Sequence, residues 1–287
     1  MGSIHGYEVD SELRLRRLSR AAGLRGRLRL EPASEPPLDQ TGELTAWLQW
    51  PGIEDGGFAL ARTDRGLIAW CSATGTFEIE PAATTIRFAG DRLDEMGEHR
   101  LQTTAVPLLL SERGDLALHA AAVVVGGRAV LFCGPSGRGK STLALLASQL
   151  GHPVLTDDGV MVTFEPTGPT AWPGVPDVLV SDGARSAGRR PRMLPAQLQA
   201  TVPAPVSSVC HLSERSQKLA VERLTASGAL PVLVPSLIHA GGPDSLRAAF
   251  PLLARAVESV SLYRVAMPDR MSAAPAAARA LLEEVAH

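Results

Sequence analysis

The segment Gly134-Pro135-Ser136-Gly137-Arg138-Gly139-Lys140-Ser141 limits this chain more than any other, because it has the spacing G-x-x-x-x-G-K-S of a phosphate-binding loop. The apolar run Ala129-Val130-Leu131-Phe132-Cys133 before it reads as a buried strand, and Thr142-Leu143-Ala144-Leu145-Leu146-Ala147 after it as the opening of a helix. Glycines let backbone N–H groups turn inward around a polyphosphate, and the helix N-terminus adds partial positive charge. Gly134, Pro135, Ser136, Gly137, Arg138, Gly139, Lys140, Ser141 and Thr142 are therefore the candidate nucleotide cradle. Within it, Lys140 is expected on the β- and γ-phosphates, and the Ser141 hydroxyl on Mg²⁺.

The remainder of the chain sets wider limits. Its 287 residues suffice for one large domain or two of ordinary size. A formal net charge of −2 gives no global attraction to nucleic acid or anionic membrane, so neither is expected as a partner. Cys71, Cys133 and Cys210 are odd in number and far apart, which argues against a disulfide framework or a zinc site. The first residues carry neither an apolar signal core nor a myristoylation pattern, and no uncharged apolar run approaches the roughly 20 residues of a membrane span. A cytoplasmic protein is expected.

Residues 11–30 interleave seven arginines with leucines. They are expected to form a basic amphipathic helix, which either docks an acidic partner or turns a leucine stripe to the core. Pro32, Pro36 and Pro37 mark a loop. Short runs at 45–50, 57–61, 66–70, 76–80 and 85–88, punctuated by Asp55-Gly56-Gly57 and Asp64-Arg65-Gly66, predict a small antiparallel sheet. Residues 91–112 read as a helical connection. The run 118–125 predicts one strand that turns at Gly126-Gly127 into the strand before the glycine loop, as a hairpin. The expected division is 1–105, an N-terminal helix plus a small β-rich region, and 106–287, an α/β nucleotide domain with a mixed sheet. Later, Arg185, Arg189, Arg190 and Arg192 fall in a Gly/Ser/Pro-containing loop, where they hold carboxylates of an acceptor peptide, stabilise a transferring phosphoryl group, or are simply solvated. A strand is expected at 203–209, a helix after 224–230, and a closing helix at 274–286.

A phosphate loop alone does not separate the nucleotide-using classes. Asp157-Asp158 comes only 17 residues past Lys140, room for one helix and one turn back. The pair is thus predicted to cap the strand entered directly after the loop helix. From there one carboxylate can accept a hydroxyl proton while the other holds Mg²⁺. No N-K-x-D guanine motif is present. Leu212-Ser213-Glu214-Arg215-Ser216-Gln217 lacks the glycines of the transporter-ATPase signature L-S-G-G-Q, and is set aside.

Three segments then fall into one series: Leu118-His119-Ala120-Ala121-Ala122-Val123, the glycine loop, and Gly151-His152-Pro153-Val154-Leu155-Thr156-Asp157-Asp158. In this the chain resembles the catalytic domain of HPr kinase/phosphorylase, which has a strand histidine, a G-x-S-G-x-G-K-S loop, a helix, Gly-His and an acid pair at similar spacing. The tight match spans about 40 residues. It resembles more closely still the HPr-kinase-related proteins of peptide natural products, including lasso-peptide kinases, which phosphorylate a serine of a precursor peptide. The resemblance implies a P-loop kinase domain of HPr kinase type that uses ATP and Mg²⁺. It implies Asp157 as base, Asp158 with Ser141 on the metal side, Lys140 on phosphate, and His119 beside the γ-phosphate. His119 on an apolar strand also fits a satisfied core histidine. The glycine-rich second signature of the bifunctional enzymes is missing, so phosphorylase activity and HPr as substrate are not implied. The expected acceptor is a serine or threonine of a peptide or small protein, with homo-oligomerisation open. A nucleotide-binding regulatory ATPase module and a small-molecule kinase remain as alternatives.

Overall fold

The computed structural model describes residues 2–19, 23–33, 43–49, 57–71, 74–175, 177–180 and 192–286. Pro36, Pro37, Trp50, Asp55-Gly56, Arg185, Arg189 and Arg190 lie outside the described residues.

Period-two alternation, not helical periodicity, governs the N-terminal arginine-rich stretch. Strands β1 (Ser3–Ile4) and β2 (Tyr7–Ser11) precede it, and β3 (Gly26–Pro32) stands where the helix over 11–30 was expected. Along β3, Leu28 and Leu30 are fully buried while Arg27 and Arg29 face solvent, the pattern of a half-buried strand. Residues 12–19 follow no regular element. Strands β4 (Glu43–Gln49), β5 (Gly57–Thr63), β6 (Gly66–Cys71), β7 (Gly75–Glu80) and β8 (Thr85–Ala89) match the expected runs closely. All eight strands form one sheet, in the order β1-β2-β3-β8-β7-β6-β5-β4. The five expected strands, β8 to β4, are antiparallel throughout as expected; the β2–β3 and β3–β8 pairings that extend them are parallel, so the whole sheet is mixed.

Helix α1 (Glu95–Arg100) starts at Asp94, whose side chain accepts from Gly97 N at 2.7 Å. It continues through a π-helical turn (Leu101–Ala105) into α2 (Val106–Glu112). Leu101, Ala105, Val106, Leu108, Leu109 and Leu110 share one core with Leu28, Leu60, Phe77 and Ile86 of the N-terminal sheet.

The second sheet starts with β9 (Leu116–Leu118) and β10 (Ala121–Val125), where one continuous strand was expected. The break falls at His119, whose N–H leaves the ladder to donate to Ser236 O at 2.7 Å. Gly126-Gly127, both at positive φ, then make the tight turn into β11 (Arg128–Cys133). Helix α3 (Lys140–Gln149) leads to β12 (Val154–Thr156), β13 (Val160–Glu165) and β14 (Gly168–Ala171). The hairpin β15 (Asp177–Val180) and β16 (Arg192–Pro195) stands apart as a two-stranded sheet. Next come β17 (Ala204–Leu212), β18 (Ala220–Arg223), α4 (Ala226–Leu233, capped by Thr225), α5 (Gly242–Glu258), β19 (Ser261–Ala266) and α6 (Ala274–Val285).

The main path of this sheet is β12-β10-β11-β17-β14-β13-β9, with β19 branching from β17 and β18 pairing with β19. Strand β11 is parallel to β17, and β17 to β19. One face packs on α4 and α5 through Leu131, Val209, Leu233 and Leu253; the other packs on α3 and α6 through Phe132, Leu143, Leu281 and Leu282. A three-layer α/β arrangement results, with the glycine loop at the carboxyl end of an interior strand. All three cysteines are free and buried. Among the described residues no helix is long and apolar enough to cross a membrane.

The two sheets meet through polar groups as well as apolar ones. Arg25 Nη2 donates to both carboxylate oxygens of Asp115 at 2.7 Å, and its guanidinium lies over the rings of Tyr7 and Trp172. His5, fully buried at φ +48, donates its N–H to Pro173 O. A Cβ on Gly174 would come 2.3 Å from His5 Cε1 and 2.4 Å from Thr156 Oγ1, so only glycine fits here on spatial grounds. Gly174→Ala is expected to cost about 1–3 kcal/mol through overpacking. Denaturant unfolding of the two proteins would check this, and equal midpoints would mean that the sheets can separate to admit the methyl group.

Candidate active site

The carboxyl end of β11 delivers the glycine loop because three of its glycines take conformations that side chains disfavour. Gly134, Gly137 and Gly139 have φ of +128°, +83° and +103°. Gly134 has a second constraint, since a Cβ there would come 2.6 Å from Leu212 O at the end of β17. Gly139 is the N-cap of α3 and supplies no side-chain cap, and the first turn of the helix holds no acid. The opening amides of α3 are thus left for an anion. Lys140 is buried, and its Nζ donates to Gly134 O at 2.9 Å and Pro135 O at 3.4 Å, so the ammonium bridges the mouth of the loop. Pro135, Ser136 and Gly137 are exposed at the tip, while Arg138, Ser141 and Thr142 are half-buried.

Strand β12 ends at the acid pair. Asp157 is fully buried, and its Oδ2 accepts from Leu179 N of β15 at 2.9 Å. Oδ1 has no hydrogen-bond partner. The Ser141 hydroxyl stands near enough to favour the ionised form of Asp157, though without hydrogen-bond geometry to Oδ1. Burial, reinforced by the neighbouring charge of Asp158, pushes the Asp157 carboxyl up to about 7.

Asp158 has the opposite character. Its φ is +63°, and Gly159 N donates back to Asp157 O at 2.8 Å, closing a γ-turn. Burial alone would raise its pKa. A hydrogen bond from His99, together with the electrostatics of His119, His99 and Lys140, outweighs this and holds it well below the usual carboxylate range. His99 Nε2 lies 3.3 Å from Asp158 Oδ2, and His119 Nδ1 lies 3.9 Å from Oδ1 and 3.1 Å from the Asp158 carbonyl. The His119 side chain is 42% exposed and carries these contacts, so it is no enclosed core histidine. Burial lowers its pKa, against the pull of Asp158.

The tertiary structure therefore gathers Lys140, Ser141, Asp157, Asp158 and His119 at one end of the second sheet. Arg192 opens β16 and is exposed. Two contributors went unnoticed in the sequence. His99 comes from α1, where a histidine in a helical connection gives no sign of its distant carboxylate. Glu98, next to it, is also buried, and accepts from Arg16 N and Arg17 N, tying the 12–19 segment to α1. Arg17 continues the chain of contacts to Asp177 of β15 at 2.7 Å.

The donor set suits a divalent metal with hard oxygen ligands. Asp157 Oδ1 has no partner, the Asp158 carboxylate is ionised, and Ser141 offers a hydroxyl. Among the described residues no group of three or more His, Cys, Asp or Glu is placed to hold a metal. A Mg²⁺ held by one or two carboxylates and completed by phosphate oxygens and water fits such a site; an all-protein cage does not.

No family model matches the sequence, and a search of curated proteins gave no match. Among solved structures, the HPr(Ser) kinase/phosphatase from Coxiella burnetii is similar over 58% of this chain and 88% of its own, at 14% identity and a TM-score of 0.35.

The raised pKa of Asp157 has a consequence for stability. Between about pH 4 and about pH 7 the folded protein keeps a proton that the unfolded chain has released, so this carboxyl makes stability fall as pH rises through that window. Asp157→Asn cannot ionise, and is expected to be more stable than the parent above that window while losing the advantage at its acid end. Urea unfolding at the two extremes measures the difference; a gap independent of pH would mean that Asp157 titrates normally.

Proposed function

We propose that this protein is an ATP- and Mg²⁺-dependent kinase that phosphorylates a serine or threonine hydroxyl of a peptide or small protein. A ribosomally made natural-product precursor peptide is the preferred acceptor class. One observation carries the reading: the buried Asp157, with one carboxylate oxygen left without a partner, and the adjacent Asp158, hydrogen-bonded to His99, lie within electrostatic reach of the loop serine and lysine. A protein that only binds nucleotide does not need a poised base at the terminal phosphate. The motif series from His119 to Asp158 supports the same class through its resemblance to HPr-kinase-related proteins.

In this reading the loop amides and Lys140 hold the triphosphate, and Asp157 orients the acceptor hydroxyl. The acceptor oxygen bonds to the γ-phosphorus as the bond from that phosphorus to the β,γ-bridging oxygen breaks. Asp157 takes the hydroxyl proton, and ADP departs. Asp158 and Ser141 are the groups that would hold Mg²⁺, and Mg²⁺ when bound supplies neutralisation of phosphate charge. His99 and His119 position Asp158 and keep it ionised. The buried wall around Asp157 keeps water from competing with the acceptor.

Transfer of label from γ-labelled ATP, followed by mass spectrometry of candidate peptides, tests the proposal. A labelled serine or threonine supports it; release of inorganic phosphate alone would favour a regulatory ATPase, and a labelled metabolite a small-molecule kinase. Lys140→Ala is expected to lower transfer about a hundredfold or more, by analogy with loss of a transition-state donor. The kcat/KM of the parent should rise with pH to a plateau, with its midpoint set by Asp157 at about 7, because the protonated carboxyl cannot act as base. Asp157→Asn should abolish that limb together with most of the activity. Activity retained within a few-fold in this variant would remove Asp157 as base.

A further inference from the structure

The tertiary structure returns Leu212-Ser213-Glu214-Arg215-Ser216-Gln217 to the nucleotide loop. Strand β17 runs parallel to β11 with Cys133 opposite His211, so the two strands end side by side and their following loops leave at the same rim. Arg138 of the glycine loop reaches Glu214, with Nη2 3.5 Å from Oε1. A Cβ built on Gly139 would lie 3.7 Å from Arg215 Nη2. The guanidinium thus stands against the last residue before Lys140.

Its frame is fixed by main-chain bonds. Ser213 N donates to Val265 O, Ser216 N to Met267 O, and Asp269 N to Ser216 O, at 2.9, 3.0 and 2.9 Å. Arg215 Nη1 donates to Pro268 O at 3.3 Å, and among the described residues no carboxylate pairs with the side chain. A guanidinium held by one carbonyl, beside a loop suited to phosphate, keeps donors for an anion.

Position decides which part of the anion it meets. In the order β12-β10-β11-β17, the acids and His119 lie on the β10–β12 flank of the loop strand, and Arg215 on the β17 flank. A triphosphate whose terminal group faces the acids has its nucleoside end on the other flank. We propose that Arg215 binds the nucleotide polyphosphate on its nucleoside side, at the α- and β-phosphates. The pocket then holds ADP through Arg215 as it holds ATP. The inference rests on the kinase reading of the loop and adds a binding residue outside the phosphate-loop motif.

Titration of fluorescent ADP and ATP analogues with excess Mg²⁺ against the full chain, Arg215→Ala and Arg215→Lys provides the test. Loss of a charge-assisted contact predicts about tenfold weaker binding of both nucleotides by Arg215→Ala, with part of the loss recovered in Arg215→Lys. Under turnover the KM for ATP should rise with kcat little changed, because the guanidinium stands away from the transferring group. Thermal unfolding without nucleotide separates a local effect from misfolding, and Arg215→Lys serves alone if the alanine variant does not fold. Unchanged affinity for both nucleotides would overturn the Arg215 assignment and leave the kinase reading intact. Loss confined to ATP would overturn it equally, by moving the guanidinium to the γ-phosphate. A parent chain that binds neither nucleotide would instead remove the kinase reading, and this inference with it.

Discussion

Two adjacent carboxylates brought out of water at the end of β12 are the most demanding feature of this protein. Like charges this close cannot both ionise without compensation. The compensation is unequal: Asp158 receives a hydrogen bond from His99 and the nearby charge of Lys140, whereas Asp157 receives one backbone amide and keeps one oxygen without a partner. The difference between them is a matter of environment, since the residues are chemically identical. The positive φ of Asp158 is what allows it, by turning neighbouring side chains toward different walls. Aspartate tolerates this conformation better than most residues, and strain of this kind gathers at functional sites.

The walls come from distant parts of the chain. His99 approaches from a helix that packs on the N-terminal sheet, and the π-helical turn directly after it is an irregularity often associated with function. A Cβ on Gly159 would come 3.2 Å from Thr103 O in that same turn, so the helix presses on the backbone beside Asp158. From the other direction, Arg17 holds Asp177, and two residues on in β15 Leu179 donates to Asp157. The N-terminal region is consequently part of the site's second layer of support, through Glu98, His99 and Arg17.

Much of the second half was legible in the sequence because its chemistry is local. A loop that requires three positive-φ glycines, a strand of consecutive apolar residues and a helix opening on Lys-Ser each declare themselves within a few residues. The short spacing to Asp157-Asp158 also fixed where the chain had to return. The arginine-rich stretch was less legible: Leu and Arg alternate there at spacings compatible with either period, and pairing of β3 with β2 and β8, both distant in sequence or separated by a long connection, settled the choice. The interruption at His119 was hidden too, because an apolar run carries no sign of where its ladder partner changes from β13 to β10's neighbours.

What the sequence determined by itself was the glycine loop, its flanking strand and helix, and the acids one turn beyond, since backbone conformation and residue spacing suffice for these. Only the tertiary structure decided that Asp157 is the carboxyl with raised proton affinity and Asp158 the ionised one. It alone brought His99 to Asp158 and Arg215 to Gly139, because burial, through-space charge and parallel strand pairing depend on contacts between segments that sequence separation does not encode.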